Sequence, residues 1–518
     1  MSSEEFELGH VSTTWLENKF CRNGRHMNSG KGGPLEFVDT TLRDGQMSLW
    51  ATNMRTSTAM SVIDRLDAAG FVAMELIGSS FFKKCVRELR EDPWERLRML
   101  TGHMRTPGRA IRTRHITAFH PNPRAISQMW MRRLAANGIR QVRISDPSNT
   151  VEILREQVAL AREAGLEAVV NFVYSVSPKH TDEYYVDRIR GLATLGADAL
   201  CLKDPGGLLT PEWTRSLARQ LTEATQGHPP EIHNHCNNGL GPLNALEALE
   251  EGVRVVSTAV PPLSDGSSLP SIFDLASNAE ARGYVVAIDT EPLRGVEQYL
   301  RRVAVAEGRA VGHPLVYDAF QERHQVPGGM ISNFRQHLGS LGLADRVDAV
   351  LEEAVTVRAD LGFPIMVTPY SQFVGTQAAI NVIAGSRYTQ LTDEVIKYAL
   401  GHWGCEEAAD MDPDVRDRLL DHPRARELAA DPPRELSVGE VREQLNAGPD
   451  VGDDELLLRY LTSASDVETM KRYPAVMDDG FRGDSRAADL IRGLASILGP
   501  VAVEATTPDL SLRFGRSH

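Results

Sequence analysis

The chain has 518 residues, 42% of them hydrophobic and 24% charged, with a formal net charge of −14. That length suits roughly two to four domains, and the acidic balance argues against a nucleic-acid partner while leaving room for a local basic pocket that binds one small anion. The acidic opening Met1-Ser2-Ser3-Glu4-Glu5 lacks a leader's basic stretch and apolar run, so neither a signal peptide nor a membrane span is expected. Cys21, Cys85, Cys201, Cys236 and Cys405 show no CxxC spacing, which points to packing roles in a reducing, cytoplasmic compartment.

After an N-terminal extension, residues 1–34, short β-branched runs alternate with helical stretches in the order of a parallel sheet with crossover helices. The runs are Leu35 to Val38, Ala73 to Leu76, Ile111 to Thr117, Gln141 to Ser145, Ala168 to Tyr174, Ala199 to Leu202, Glu231 to His235 and Val255 to Val260. Residues 35–304 thus have the length of one α/β unit, a (β/α)8 TIM barrel. A doubly wound open sheet is the competitor, but no glycine-rich dinucleotide loop follows the first run. Helical patterns such as Leu341 to Asp360 and Asp393 to Leu400 then predict a mainly helical domain over 305–420. In the C-terminal extension, 421–518, the Pro-, Arg- and Asp-rich stretch 422–448 reads as a linker or loose helical hairpin, further helical segments follow, and the tail frays after Val501.

The strongest local signal is Glu231-Ile232-His233-Asn234-His235, because alternate residues of a strand share a side and bring both imidazoles together. Such a pair suits Zn, Co or Mn, and a packed or hydrogen-bonded histidine pair is the alternative. Asp44, after the first run, and Lys203, at the end of the sixth, fall on the rim where barrels carry their chemistry. Asp44 offers an oxygen ligand. An ammonium is a poor ligand, so Lys203 either pairs with Asp204 or is carbamylated into an anionic oxygen donor.

Asp39-Thr40-Thr41-Leu42-Arg43-Asp44-Gly45-Gln46 and the histidine pair resemble a metal-dependent barrel superfamily that includes isopropylmalate synthase and hydroxymethylglutaryl-CoA lyase. Ser48-Leu49-Trp50-Ala51-Thr52, Glu91-Asp92-Pro93-Trp94-Glu95-Arg96-Leu97, Leu202-Lys203-Asp204, His324-Gln325-Val326-Pro327-Gly328-Gly329-Met330 and Val367-Thr368-Pro369-Tyr370-Ser371-Gln372 narrow this. They resemble the biotin-dependent carboxyltransferases: the pyruvate carboxylase carboxyltransferase domain, the transcarboxylase central subunit and the oxaloacetate decarboxylase α chain. The resemblance implies a helical domain that completes an active-site funnel. It also implies a divalent metal on Asp44, His233, His235 and carbamylated Lys203, with Arg43 beside it as a catalytic residue. Arg112 would grip the carboxylate of a 2-oxo acid, and Ser267 would stand where relatives use a threonine to pass a proton between biotin and substrate. A homo-oligomer is expected.

Three positions depart from the family pattern. Met47 stands for a glutamine, Lys83 for the aspartate of a Gly-Gly-Ala-Thr-Phe-Asp motif, and Phe119 for a tyrosine. A lost donor or reversed charge at a buried contact shifts specificity by about 1 to 3 kcal/mol. Lys83 therefore binds a second anionic group of the acceptor, pairs with Glu75, or faces solvent beside Lys84. There is no Ala-Met-Lys-Met biotinylation motif and no nucleotide-binding loop. Carboxybiotin would then arrive in trans on a biotin carboxyl carrier charged by a separate biotin carboxylase. The expected activity is carboxyl transfer to or from a pyruvate- or oxaloacetate-like acid. The alternatives are a biotin-independent decarboxylase or carbon–carbon lyase, toward which His235-Cys236-Asn237-Asn238-Gly239 leans, and a metabolite-binding pseudoenzyme.

Overall fold

The computed structural model describes residues 33–473, apart from 118–119, 226–227, 328–337 and 339–343, together with the backbone of strands Val503–Thr507 and Leu510–Phe514. The extension up to residue 32 with Cys21, the Gly328-Gly329-Met330 part of its motif, Phe119 and most of the tail lie outside the described residues.

Eight parallel strands close into a barrel: β1 (Glu36–Asp39), β2 (Ala73–Gly78), β3 (Gly108–Thr113), β4 (Gln141–Ser145), β5 (Glu167–Val173), β6 (Ala199–Asp204), β7 (Glu231–Asn234) and β8 (Val255–Thr258). β1 and β8 complete the ring, with Glu36 opposite Val255 and Asp39 opposite Thr258. The intervening helices are amphipathic. Pro211–Ala224, for example, starts at a Thr210 side-chain cap with proline in its first turn, and buries Thr214, Leu217, Ala218 and Leu221 at helical spacing against the sheet.

The expected barrel is present, but β3 lies three residues upstream of the run Ile111 to Thr117. Gly108 and Arg109 look unlike strand residues, yet Arg109 points into the barrel, where Glu231 takes two of its hydrogen bonds at 2.7 and 2.9 Å. Beyond Thr113 the chain turns away, its hydroxyl donating to the His115 carbonyl at 2.8 Å. β8 likewise ends at Thr258, because the Val260 amide goes to the Thr41 hydroxyl at 2.9 Å rather than to a strand.

A second hydrophobic core gathers Val326, Val350, Val357, Tyr370, Val374 and Tyr398 from the helical region, where Val347–Asp360 and Tyr370–Ala384 are the longest helices. It meets the barrel mouth through polar contacts. Arg114 pairs with Asp146 after β4 and with Glu407, and the Tyr370 and Ser148 hydroxyls bond at 3.2 Å. The stretch 422–448 contains two helices, Pro423–Ala430 and Val438–Gln444, the latter begun by a Ser437/Glu440 capping box. Helices Asp453–Leu461 and Ala464–Lys471 then return Leu456, Leu457, Leu461 and Val467 to the barrel's own core. No helix of the described residues is long and apolar enough to cross a membrane.

Candidate active site

Asp44 lies in the single π-turn Thr41–Gly45 directly after β1. The turn is pinned by the Thr40 hydroxyl on the Thr258 carbonyl at 2.8 Å, and Gly45 is needed because a Cβ there would meet the Leu263 carbonyl at 2.8 Å. On β7, alternation sends His233 inward and Asn234 outward, where its amide donates to the Gly241 carbonyl at 2.6 Å. His235 follows as the strand ends. Its Nε2 lies 3.5 Å from Asp44 Oδ2, while His233 Nε2 is 3.1 Å from the same oxygen. All three residues are buried, with one ligand atom of each within 4.8 Å of the others.

Electrostatics suit this trio to a cation. Burial alone would raise the Asp44 carboxyl, but Arg43, His235 and His233 hold it well below the usual carboxylate range. Burial lowers both histidines. His235 nevertheless ends above its ordinary value because Asp44 and the Ser267 carbonyl favour its charged form, whereas His233 ends well below. His235 Nδ1 donates to the Ser267 carbonyl at 2.8 Å, which leaves Nε2, facing Asp44, as the nitrogen that would ligate a metal once it is without a proton. At His233, ligation would replace the Nε2 proton that now bridges to Asp44. A carboxylate oxygen and two imidazole nitrogens converging in a dry site fit a divalent metal.

Lys203 sits opposite His233 in the β6–β7 register, and its amine makes no hydrogen bond or ion pair among the described residues. The pairing with Asp204 does not form, because that carboxylate accepts the Leu208 and Leu209 amides at 2.9 and 2.8 Å. Burial, then Arg43, pushes the Lys203 amine down to about 8. Arg43 lies 2.7 Å from Asp44 and donates to Glu75. The Ser267 hydroxyl donates to the Ser48 carbonyl at 3.1 Å, and the Ser48 hydroxyl to Asp44 at 3.0 Å.

The other sequence candidates are less closely gathered. Met47 is 37% exposed, on the helix Gln46–Trp50 that follows Asp44. Lys83 is half-buried on Ser79–Lys84 and has no ion-pair partner among the described residues. The pairing with Glu75 does not form, since Glu75 is taken by Arg43 and Arg143, and the neighbouring Lys84 pairs with Glu88. Arg112 turns toward the surrounding helices, bonding Gln157 at 3.0 Å, Ser127 at 2.8 Å and the Arg114 carbonyl, with Nη1 unpartnered among the described residues. Sequence reasoning missed Arg143, Arg109 and Glu231, which form ion pairs inside the barrel. The available signal was a charge at the inward parity of the runs Gln141 to Ser145 and Glu231 to His235, whereas Arg109 lies outside the run Ile111 to Thr117.

Comparison with known proteins agrees with this architecture. A family described as "Conserved carboxylase domain" matches residues 322–489, and one described as "HMGL-like" matches residues 137–300. A pyruvate carboxylase subunit of Methanocaldococcus jannaschii is 36% identical over 391 residues, covering 75% of this chain and 68% of its own. Its counterpart in Methanothermobacter thermautotrophicus, also a pyruvate carboxylase subunit, is 31% identical over 459 residues, covering 87% and 78%. The carboxyl transferase domain of Rhizobium etli pyruvate carboxylase, solved with pyruvate and biocytin, shares the fold at a TM-score of 0.75 and 21% identity over 94% of this chain and 84% of that one. With a metal-competent trio at the mouth of such a barrel and relatives of this extent, the chain belongs to the biotin-dependent carboxyltransferase family, the pyruvate carboxylase-like group of the HMGL-like barrels.

Proposed function

We propose that this protein moves a carboxyl group between carboxybiotin, carried on a separate protein, and a 2-oxo acid. The observation that carries the reading is the buried Asp44–His233–His235 trio at the C-terminal mouth of the barrel. A divalent metal held there would polarise the acid's carbonyl and stabilise the negative charge that develops when its enolate forms. Lys203, opposite His233 and with no ion pair among the described residues, would supply a further oxygen ligand once its neutral amine has added to carbon dioxide and lost a proton. Arg43 holds Asp44 in place and adds positive charge beside the reacting centre. For Arg112 to anchor the substrate carboxylate its guanidinium would have to turn from Gln157 and Ser127, with Nη1, which has no partner among the described residues, as the group that reaches the acid. Ser267, whose carbonyl orients His235, passes the proton between biotin and substrate through its hydroxyl.

In this reading Met47 and Lys83 belong to the acceptor side, and Lys83, with no ion-pair partner among the described residues, favours an acid with two anionic groups. The relatives are named as subunits, which supports separate carrier and carboxylase partners. A cytoplasmic location rests on the acidic chain and on the unpaired Cys85, Cys201, Cys236 and Cys405.

Metal analysis and a carboxyl-transfer assay test the reading. Purified protein should hold stoichiometric metal and convert a panel of 2-oxo acids only when a carboxylated carrier protein is present. Equal turnover without biotin would establish the decarboxylase or lyase alternative. Neither turnover nor enolate-dependent hydrogen exchange, in a metal-loaded preparation, would leave a metabolite-binding scaffold.

A further inference from the structure

The charges inside the barrel close into a circuit through two of the metal-facing residues. Asp44 meets Arg43 at 2.7 Å, Arg43 Nε meets Glu75 at 2.8 Å, and Glu75 Oε1 lies 3.0 Å from Arg143 Nη1. That same nitrogen is 2.7 Å from His233 Nδ1, and His233 Nε2 returns to Asp44 at 3.1 Å. Arg143 is fully buried on β4 and is gripped from the far side by Glu231, with the Ser257 hydroxyl 3.2 Å away.

A guanidinium has donors and no lone pair, so His233 Nδ1 accepts from Arg143. His235 does the reverse, giving its Nδ1 proton to a backbone carbonyl. The two imidazoles are therefore held from behind by opposite kinds of group. One is fixed by the backbone of the loop after β8, the other by a side chain that is itself clamped between two carboxylates.

We propose that Arg143 is a positioning residue of the metal site: clamped by Glu75 and Glu231, its guanidinium fixes the His233 ring so that Nε2 faces Asp44. The inference rests on the reading of Asp44, His233 and His235 as metal ligands. Arg109 provides the internal control. It is equally buried, makes two hydrogen bonds to the same Glu231, and touches neither Asp44 nor either histidine.

The test uses the full chain, comparing wild type with Arg143→Lys, Arg143→Gln and Arg109→Lys. Zinc affinity is read by chelator competition, ligand geometry by the visible spectrum of the cobalt-loaded protein, and fold stability by thermal unfolding in chelator. Both Arg143 variants should lose about 10- to 100-fold in zinc affinity, the usual consequence of removing a group that orients a ligand, and shift the cobalt bands. Arg109→Lys should lower the melting temperature while leaving zinc affinity and the cobalt spectrum unchanged. Arg143 variants that bind zinc like wild type, or an Arg109→Lys variant that loses zinc equally, would overturn the assignment. Should the Arg143 variants fail to fold, Glu231→Gln loosens the clamp without touching a ligand, and unaltered zinc binding there overturns it as well. A wild type that binds no zinc or cobalt would instead sink the metal reading itself.

Discussion

Burial with no ion pair among the described residues makes Lys203 chemically unusual. With its amine at about 8 instead of 10.5, carbon dioxide finds the nucleophilic, unprotonated form near neutral pH. The neutral fraction is about a tenth at pH 7 and about nine tenths at pH 9. At a fixed concentration of dissolved carbon dioxide, metal binding to acid-stripped protein should therefore return faster as pH rises from 7 to 9, and Lys203→Ala should show no such dependence. A flat pH profile would remove the carbamate from the site. Lys83 supports a second test, on substrate choice. Lys83→Asp with Met47→Gln should lower the ratio of dianionic to monoanionic acceptor use by about tenfold, with Lys83→Gln in between. An unchanged ratio in carboxyl-transfer assays would exclude acceptor selection by Lys83. At this scale the sequence made His233 and His235 legible, because strand alternation is local, and Asp44 through its place directly after the first strand. The Asp44–Arg43–Glu75–Arg143–His233 circuit was not, because it joins four strands whose mutual register no single segment encodes.

Among the secondary-structure elements, the turn after β1 carries the tightest steric demand near the site. Gly45→Ala would drive a methyl against the Leu263 carbonyl at 2.8 Å and its Cβ at 3.1 Å, both parts of the loop after β8 that carries Ser267. The change should cost about 1 to 3 kcal/mol of stability and weaken metal binding about tenfold, as read by denaturant unfolding and chelator competition. Full zinc affinity in that variant would show that Asp44 does not depend on this close approach. The run Gln141 to Ser145 matches β4 residue for residue because its β-branched pattern is uninterrupted. β3 was displaced because Arg109 is a strand residue only by virtue of Glu231, a partner 122 positions away in the sequence.

For the whole molecule, one carboxylate gathers several of the polar bonds that clasp the C-terminal helices to the barrel's outer helices. Asp454 takes Arg133 at 2.7 and 3.1 Å, Arg98 at 3.4 Å and Asn137 at 3.3 Å, while its carbonyl accepts the Trp94 indole at 3.0 Å. Asp454→Ala should therefore loosen the clasp by about 1 kcal/mol, a modest figure because the arginines are partly hydrated. Local proteolysis of residues 453–471 should rise while zinc affinity stays constant. A parallel loss of zinc would mean that the extension shapes the mouth of the barrel.

The barrel interior has one more consequence, in its overall charge. Asp44, Glu75 and Glu231 are matched one for one by Arg43, Arg109 and Arg143, so this buried set is neutral before any ion arrives. On the proposed reading, a divalent ion beside a carbamylated, anionic Lys203 would leave a single positive charge in a cavity that cannot screen it. One carboxylate would cancel that charge. An acid bearing a second would have to find its counter-charge outside the barrel, so the centre would set the valence of the group it accepts and the rim would decide whether a longer diacid can follow.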